Sequence, residues 1–267
     1  MHAYVTLVTN ADYALGALAL ARSLRQVDAQ APLVVLATET AVDLETLEAE
    51  GCVIHPVTQL PVSDAFRARH SRKAVHERAP FTKGEKPAFH DPLDNFSKLR
   101  LWELTQYERV VFLDADAIVV RNIDKLFGYP EFCGAPNLYE SLDDMHRLNS
   151  GVFVAQPSTA TFADMLERLD APDAVWRRTD QTFLETYFPN WHGLPYIYNT
   201  LQYVYFNLPQ LWSWPSIHVV HYQYEKPWAA EHPKQAQLQP LIDLWHRVLE
   251  GGDIPQELPV QSAAPGS

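Results

Sequence analysis

Alternation of strand-like and helix-like segments is the feature of this sequence that most restricts its fold. Runs rich in aliphatic and β-branched residues are separated by stretches with helical periodicity. Such alternation predicts an α/β domain with a mixed, mostly parallel central sheet that is covered by helices. The predicted strands are 3–9, 32–37, 52–57, 109–113 and 151–156, and the predicted helices are 12–26, 40–50, 95–107, 157–169, one beginning near Asp180, and 234–249.

A sheet of this kind also predicts where a ligand binds. Ligands of open α/β sheets lie beyond the carboxyl ends of the strands. Thr9 and Asn10 follow the first predicted strand, and Asp114 follows a later one. We therefore expect these residues at the binding edge.

The composition limits the size and the partners of the protein. A chain of 267 residues with 47% hydrophobic residues can bury one large core, and we expect a single domain over residues 1–250. Residues 251–267 are rich in Pro, Ser, Ala and Gly, which predicts a disordered tail. The net charge of −12 argues against nucleic acid and anionic membranes as partners.

The sequence gives no signal for secretion or for membrane insertion. The first residues lack the basic and apolar segments of a signal peptide, and no apolar run is long enough to span a bilayer. Cys52 and Cys133 offer neither a disulfide framework nor a thiolate metal site. These features predict a cytoplasmic protein.

Two carboxylates, Asp114 and Asp116, follow the apolar strand 109–113. In an extended segment, residues two apart point to the same side, so both carboxylates can reach one cation. Asp is also common in ordinary turns at strand ends. The pair by itself leaves a metal site and a turn equally open.

His221 follows a second apolar run and is a candidate third ligand. Two carboxylates and an imidazole suit Mn²⁺ better than Mg²⁺, which prefers oxygen, and Zn²⁺ is compatible in ligand type. A lone histidine is more often an ordinary packed side chain. Lys98 and Lys226 could meet a metal-bound diphosphate, although each alone is typical of a surface lysine. Asp180 could simply cap a helix, and Asn149 with Ser150 could form a turn.

The window 66–86 contains seven basic residues against two acidic ones, within a chain of opposite net charge. It belongs to a stretch, 58–94, without periodic pattern, and long loops of this kind are usually functional or mobile. We interpret the window as a cationic lid over an anionic substrate, with a solvated basic loop as the alternative.

Six segments of the chain, spread over residues 4–228, resemble the glycogenin and galactinol synthase group of family 8 retaining glycosyltransferases. No GxGxxG, Walker A, GxSxG or HExxH motif points to another nucleotide or hydrolase site. The segments are YVTLVTNADYALGALALARSL, FSKLRLWELTQYERVVFLDADAIVVRNIDKLF, NSGVFVAQPS, TDQTFL, PYIYN and HYQYEKPW.

The resemblance implies a GT-A fold, a Rossmann-like nucleotide-diphospho-sugar transferase domain that uses a UDP-sugar and Mn²⁺, or Mg²⁺ in its place. The implied activity is transfer of glucose or galactose with retention of configuration to a polyol, glycan or protein acceptor, and relatives often form homodimers. The resemblance implies metal binding by Asp114, Asp116 and His221, and uridine binding by Leu7, Thr9, Asn10, Tyr13 and the Ala115 backbone. It implies that Lys98 and Lys226 contact the donor sugar or its phosphates. It further implies that Asn149, Ser150, Asp180 and Gln181 contact the transferred sugar, and Asp180 and Gln181 are also the candidate catalytic residues.

Retention requires either a covalent intermediate or attack from the face of the leaving group, and the sequence does not choose between them. The chain also departs from the glycogenin pattern. Arg177, Arg178 and Thr179 replace the Asp and glycines that precede the Asp-Gln pair, which changes recognition of the sugar. Two alternatives follow: a self-glucosylating primer protein modified at Tyr205, and a non-catalytic UDP-sugar binding protein.

Overall fold

A seven-stranded sheet forms the centre of the computed structural model, which describes residues 1–74 and 91–260. The strand order is β3-β2-β1-β4-β7-β6-β8, and a smaller sheet has the order β5-β10-β9. The strands are β1 (His2–Val8), β2 (Leu33–Ala37), β3 (Val53–Pro56), β4 (Arg109–Leu113), β5 (Ala117–Val119), β6 (Cys133–Pro136), β7 (Leu148–Ala155), β8 (His192–Gly193), β9 (Thr200–Leu201) and β10 (Val219–His221).

The central sheet is mixed and mostly parallel, as predicted. Strands β1 to β4 pair in parallel, whereas β7 runs antiparallel to both β4 and β6. Strand β1 is buried on both faces, so its alternate side chains enter two different cores. Tyr4 and Val8 pack in one core, and Val5 and Leu7 pack in the other.

Helices cover both faces of the sheet. They are α1 (Ala11–Gln26), α2 (Leu44–Ala49), α3 (Asp64–His70), α4 (Pro92–Asn95), α5 (Thr159–Leu169), α6 (Asp180–Tyr187), α7 (Val204–Asn207) and α8 (Gln235–Leu249). Short 3-10 helices occupy Phe96–Glu103, Asp124–Gly128, Leu142–His146, Tyr196–Tyr198 and Pro209–Leu211.

Two predicted helices differ from the observed ones. The helix predicted over 40–50 begins only at Leu44, because Asp43 has a left-handed backbone (φ 61°) that an α-helix cannot contain. The α-helix predicted over 95–107 is instead a 3-10 helix over Phe96–Glu103. Burial of Leu99, Leu101 and Trp102 supports this helix through tertiary packing.

The small sheet packs against the last helix. Ile118 of β5 and Val220 of β10 share a core with Leu238, Leu241 and Trp245 of α8. The helix predicted over 234–249 is therefore present as α8, and its apolar face packs on the small sheet.

The segment 251–260 is not a disordered tail, contrary to our expectation. The indole N–H groups of Trp212 and Trp214 donate to the carbonyls of Leu258 and Pro255, each at 3.0 Å. Ile254, Leu258 and Val260 also pack against the core of the small sheet. Hydrogen-bond donors from distant residues and its own apolar side chains thus hold segment 251–260 in place, although its composition is typical of disordered segments. Residues 261–267 of the predicted tail lie outside the described part of the chain.

No helix within residues 1–74 and 91–260 has the length and apolar character that crossing a membrane requires.

Candidate active site

Strand register brings three of the predicted site segments to one edge of the central sheet. In parallel β1 and β4, Val5 lies opposite Phe112, so the strand ends at Thr9 and Asp114 are neighbours. In antiparallel β7, Val152 lies opposite Leu113, which places the preceding residues Asn149 and Ser150 at the same edge.

Asp114, Asp116 and His221 form a cluster of candidate metal ligands. Strand β10 pairs with β5 so that His221 lies opposite Ala117. The Nε2 atom of His221 is 3.2 Å from Asp116 Oδ1 and 3.8 Å from Asp114 Oδ2. One ligand atom from each of the three residues lies within 4.8 Å of the others. Two carboxylates and an imidazole that converge in this way fit a divalent cation.

A chain of side-chain amides fixes the orientation of His221. Its Nδ1 is 2.8 Å from Asn199 Oδ1, while Asn199 Nδ2 donates to Asn149 Oδ1 at 2.8 Å. Asn149 Nδ2 donates in turn to Asn137 Oδ1 at 2.9 Å. With Nδ1 donating to Asn199, Nε2 is the ring nitrogen that faces the two carboxylates. Nε2 would therefore be the atom available to a metal, and hydrogen bonds to the second ring nitrogen tune metal sites generally.

Gly151 allows this histidine to lie against β7. A Cβ atom at position 151 would fall far inside contact distance of the His221 ring and 2.9 Å from Asn149 Oδ1. Residue 151 must therefore lack a side chain for His221 and its amide partner to occupy their places.

Two buried lysines lie among the carboxylates. Lys98 Nζ is 2.9 Å from both Asp114 Oδ1 and Asp180 Oδ2. Lys226 Nζ forms an ion pair with Asp116 and donates to the carbonyl of Tyr222 at 3.0 Å. Burial alone would lower the pKa of the Lys98 ammonium, but Asp114 and Asp180 outweigh burial and raise it. Lys98 is therefore a permanent positive charge.

The two metal-site carboxylates differ in electrostatics. Burial raises the pKa of Asp114, and the charges of Asp116 and Asp180 add to that effect against the opposing pull of Lys98 and His221. Burial also disfavours ionised Asp116, but Lys226 and His221 outweigh it, and the pKa of Asp116 falls below its usual range. Asp116 is thus the firmly ionised member of the pair.

Asp180 and Gln181 begin α6 beside the metal cluster. Asp180 Oδ2 accepts from Lys98 Nζ and from Ser150 Oγ at 2.7 Å, and Asp180 Oδ1 accepts from Thr179 Oγ1 at 2.8 Å. Gln181 Oε1 is 3.4 Å from the main-chain nitrogen of Ser150. Lys98 therefore links the Asp-Gln pair to the metal cluster through one ammonium group.

The residues expected to hold the nucleoside lie around the start of α1. Leu7 and Thr9 are buried at the end of β1, and Asn10 Oδ1 caps α1 by accepting from the Tyr13 main-chain nitrogen at 3.1 Å. The Tyr13 ring meets Trp228 edge to face at 6.2 Å and lies 5.9 Å from Lys226 Nζ.

Gly16 lets α1 approach the loop between the metal-site carboxylates. A Cβ there would come within 2.5 Å of the Ala115 carbonyl. The Ala115 backbone thus lies against α1, one turn beyond the nucleoside segment.

The sequence did not identify Asn137, Asn199 or Thr179 as site residues. Asn199 lies in the PYIYN segment and could have been found there as a polar residue among aromatic ones. Thr179 directly precedes Asp180 in the TDQTFL segment and could have been found from that position. Asn137 has no comparable local signal, because only the tertiary fold links it, through Asn149 and Asn199, to His221.

The cationic lid is supported by none of the described contacts. Arg67 donates to Gln59 Oε1 at 2.8 Å, and Arg69 donates to the carbonyl of Ala174 at 3.0 Å and lies 3.8 Å from Asp170. These two arginines fasten α3 to neighbouring loops. Arg78, Lys83 and Lys86 lie outside the described residues.

Comparison with known proteins identifies the family. The family model described as glycosyl transferase family 8 matches residues 4–136. Human glycogenin-1 is 37% identical over 203 residues, covering 74% of this chain and 53% of glycogenin-1. The chain belongs to glycosyl transferase family 8.

Other relatives in family 8 extend the match. The putative UDP-glucuronate:xylan alpha-glucuronosyltransferase 5 of Arabidopsis thaliana is 33% identical over 237 residues, covering 85% of this chain but 36% of the plant protein. Rabbit (Oryctolagus cuniculus) glycogenin-1 is 34% identical over 235 residues, covering 85% of this chain and 65% of that protein. The chain thus spans from about a third to two thirds of the length of these curated family 8 relatives.

A solved structure confirms the fold expected of family 8. The galactosyltransferase LgtC, in complex with donor and acceptor sugar analogs, superimposes with a TM-score of 0.63 at 14% identity. The match covers 96% of this chain and 98% of LgtC. The predicted GT-A fold is therefore confirmed.

Proposed function

We propose that the chain is a metal-dependent, retaining hexosyltransferase that moves glucose or galactose from a UDP-sugar to a separate acceptor. The convergence of Asp114, Asp116 and His221 at the carboxyl edge of the sheet is the observation that carries the proposal. Mn²⁺, or Mg²⁺ in its place, would be held by these three residues and would supply a positive charge for the diphosphate.

The chain's own cations would share in stabilising the leaving group. Cleavage of the sugar–phosphate bond leaves negative charge on UDP, and fixed positive charges there favour the transition state. Lys226 extends from the segment after His221, and Lys98 lies across the cluster, so the diphosphate would meet cations from two sides. Leu7, Thr9, Asn10 and Tyr13 would hold the uridine.

Asp180 would stabilise positive charge on the sugar rather than attack it. Its two oxygens accept hydrogen bonds from Lys98, Ser150 and Thr179. A carboxylate whose lone pairs are engaged in this way, one of them by an ammonium, is a weak nucleophile. Its fixed negative charge still favours an oxocarbenium-like sugar. We therefore favour attack from the face of the leaving group.

Release of UDP tests the proposal directly. We expect UDP from UDP-glucose or UDP-galactose in the presence of Mn²⁺, loss of release with EDTA, and recovery when Mn²⁺ is added back. Absence of UDP with every donor and with polyol, glycan and protein acceptors would overturn it. Binding of UDP-sugar by calorimetry without turnover would instead indicate the non-catalytic alternative.

A glucuronate donor is a second candidate. Arg177 and Arg178 are exposed on the loop that leads into Asp180, and no ion pair with either arginine occurs among the described residues. Two guanidinium groups beside the sugar suit a carboxylate better than a neutral hydroxymethyl group. The Arabidopsis thaliana relatives are named for UDP-glucuronate.

The donor is decided by comparing UDP-glucuronate with UDP-glucose in the same assay. If the donor is glucuronate, Arg177→Ala with Arg178→Ala should weaken UDP-glucuronate binding and leave UDP binding unchanged. Arg168→Ala is the control, because Arg168 is an exposed arginine that pairs with Asp164 on α5. Equal use of UDP-glucuronate by the double variant would contradict this candidate.

Self-glucosylation at Tyr205 is not proposed. Tyr205 is 1% exposed, its ring packs edge to face on Trp212 at 4.8 Å, and its hydroxyl donates to the carbonyl of Pro259. A buried, hydrogen-bonded phenol is a poor acceptor for a sugar. Intact-mass measurement after exposure to UDP-sugar tests whether the protein glycosylates itself. A mass increase of one or more hexoses would support the self-glucosylating primer hypothesis.

A further inference from the structure

Thr179 has a backbone conformation that strongly disfavours a β-branched residue. Its φ is 54° and its ψ is −129°, outside the left-handed helical well and in a region that glycine occupies most readily. Asp28, Asp43 and Asp173 also have positive φ, but aspartate adopts such a backbone at a lower cost than a β-branched residue does, although at a higher cost than glycine. Threonine has a branched Cβ, so the native fold imposes on residue 179 a backbone conformation that threonine disfavours.

Several contacts hold this conformation in place. The main-chain nitrogen of Thr179 donates to the carbonyl of Trp176 at 2.9 Å, and its carbonyl accepts from Phe183 at 3.2 Å. Trp176 is itself anchored, because its main-chain nitrogen donates to His70 Nε2 at 3.0 Å and its ring packs on Phe183 at 5.2 Å. The turn is thus fixed on both sides of Thr179.

The strained turn places the Thr179 hydroxyl beside the carboxylate of Asp180, the candidate catalytic residue. Thr179 Oγ1 lies 2.8 Å from Asp180 Oδ1 and accepts from Asn95 Nδ2 at 3.2 Å. The carbonyl of Arg178 lies at the same distance of 2.8 Å from Oγ1, but an ionised carboxylate is the stronger acceptor for the single hydroxyl proton. Lys98 and Ser150 bond only the other oxygen, Oδ2. Within the described part of the chain, Thr179 is the side chain that donates to Oδ1, and with only Oδ2 held the carboxylate plane could rotate.

We propose that Thr179 is a positioning residue that fixes the carboxylate plane of Asp180, at the expense of backbone stability, for contact with the transferred sugar. The proposal rests on the proposed function, since it assumes that Asp180 meets the sugar of the donor. It assigns a reason for threonine at a position where the backbone favours glycine: glycine would relax the turn but would bring no hydroxyl.

Three variants separate strain from positioning. Thr179→Gly should raise the thermal midpoint, because glycine accepts this φ and ψ, and should lower kcat by about tenfold, the lower end for residues that orient an active group. Thr179→Ser keeps the hydroxyl and should retain native kcat. Thr179→Val keeps the branched shape without the hydroxyl, so both kcat and the thermal midpoint should fall.

Asp173→Gly is the matched control. Asp173 is exposed, has a φ of 61°, and lies in the loop before α6, away from Asp180. This variant should also raise the thermal midpoint but leave kcat unchanged. A gain in stability therefore cannot by itself explain the loss of kcat in Thr179→Gly.

Calorimetry adds a readout that does not require turnover. UDP should bind native chain and Thr179→Gly equally, whereas the extra affinity of UDP-sugar over UDP should shrink in the variant. Native kcat in Thr179→Gly, or a lower thermal midpoint in that variant, would overturn the proposal. If the native chain binds UDP-sugar more tightly than UDP but shows no turnover, the proposed transferase function is refuted while the positioning role of Thr179 is not. If the native chain binds no UDP-sugar, both the proposed function and the positioning role are refuted.

Discussion

Single residues at the candidate site were predictable where a local pattern marks them. Asp114 and Asp116 follow a fully apolar strand, and His221 follows another, so strand ends alone suggested that these three could meet. Asn137 reaches His221 only through Asn149 and Asn199, and no local signal marks it. The sequence therefore predicted the charged groups of the site together with Asn149, but missed Asn137 and Asn199, which complete the chain of amides.

Asp114→Asn and Asp116→Asn should differ in stability although both remove a metal ligand. Each should reduce transfer by about 100-fold or more, since a catalytic cation contributes several kcal/mol. Lys98 keeps Asp180 as a partner when Asp114 is neutral, whereas Lys226 loses its carboxylate when Asp116 is neutral. Breaking a buried pair costs about 3–5 kcal/mol, so only Asp116→Asn should show a large fall in free energy of unfolding.

Denaturant unfolding and UDP release measure the two effects side by side. Equal stability of the two variants would mean that Lys226 does not depend on Asp116. Full transfer by Asp114→Asn would refute the metal interpretation of the pair.

Asn199→Ala should weaken metal binding without removing a ligand. Without Asn199 Oδ1, the Nδ1 proton of His221 loses its acceptor and the ring is free to adopt the other tautomer. We expect Mn²⁺ affinity, measured by calorimetry, to fall by about 10-fold to 100-fold. Asn207→Ala is the control, because Asn207 donates only a long bond of 3.4 Å to the carbonyl of Tyr139. Unchanged affinity in Asn199→Ala would show that the amide chain does not set the tautomer.

Elements were predicted best where burial on both faces decides them. The strands β2 and β4 match the predicted segments to within a residue, because their continuous apolar runs require the middle of a covered sheet. The helix predicted over 95–107 is shorter and is a 3-10 helix over Phe96–Glu103, whose apolar residues are buried in the core. Pairing of β5 with β10, which brings His221 to the candidate metal ligands, joins strands about 100 residues apart. No local pattern in the sequence predicts this pairing.

Gly151→Ala tests the closest approach between elements in the site. The new methyl group would collide with the His221 ring, so either β7 or β10 must shift. We expect a lower thermal midpoint together with weaker Mn²⁺ binding. Gly128→Ala is a suitable control because a Cβ at Gly128 meets no atom within 4 Å. A Gly151→Ala variant with native metal affinity would contradict the packing that positions His221.

At the scale of the whole molecule, the final segment packs against aromatic residues of the second half. Trp212, Trp214 and Tyr205 all donate to carbonyls of residues 255–259. The composition of this segment predicted disorder. A prediction from composition considers only the residue types within the segment, and the aromatic donors that bind it lie about 50 residues earlier in the chain. Family membership, in contrast, was predictable because it rests on six ordered segments.

Truncation after Glu250 should destabilise the protein as a whole. Each indole N–H left without a buried acceptor costs about 1–3 kcal/mol, less where water reaches it. We expect the thermal midpoint to fall by about 5 °C or more, given about 2–4 °C per kcal/mol for a chain of this size. Truncation after Val260 keeps every described contact and should leave the midpoint unchanged. A midpoint unaffected by the longer deletion would show that the segment is dispensable.

The amide chain that ends at His221 has one more consequence, which concerns the assembly of the site during folding. Asn137, Asn149, Asn199 and His221 come from four separate segments of the chain, and the two aspartates come from a fifth. If these residues bind a metal as proposed, high-affinity binding requires the completely folded molecule. The fraction of a preparation that binds Mn²⁺ tightly should equal the fraction that has completed folding, so a metal titration would count native molecules before any substrate is known.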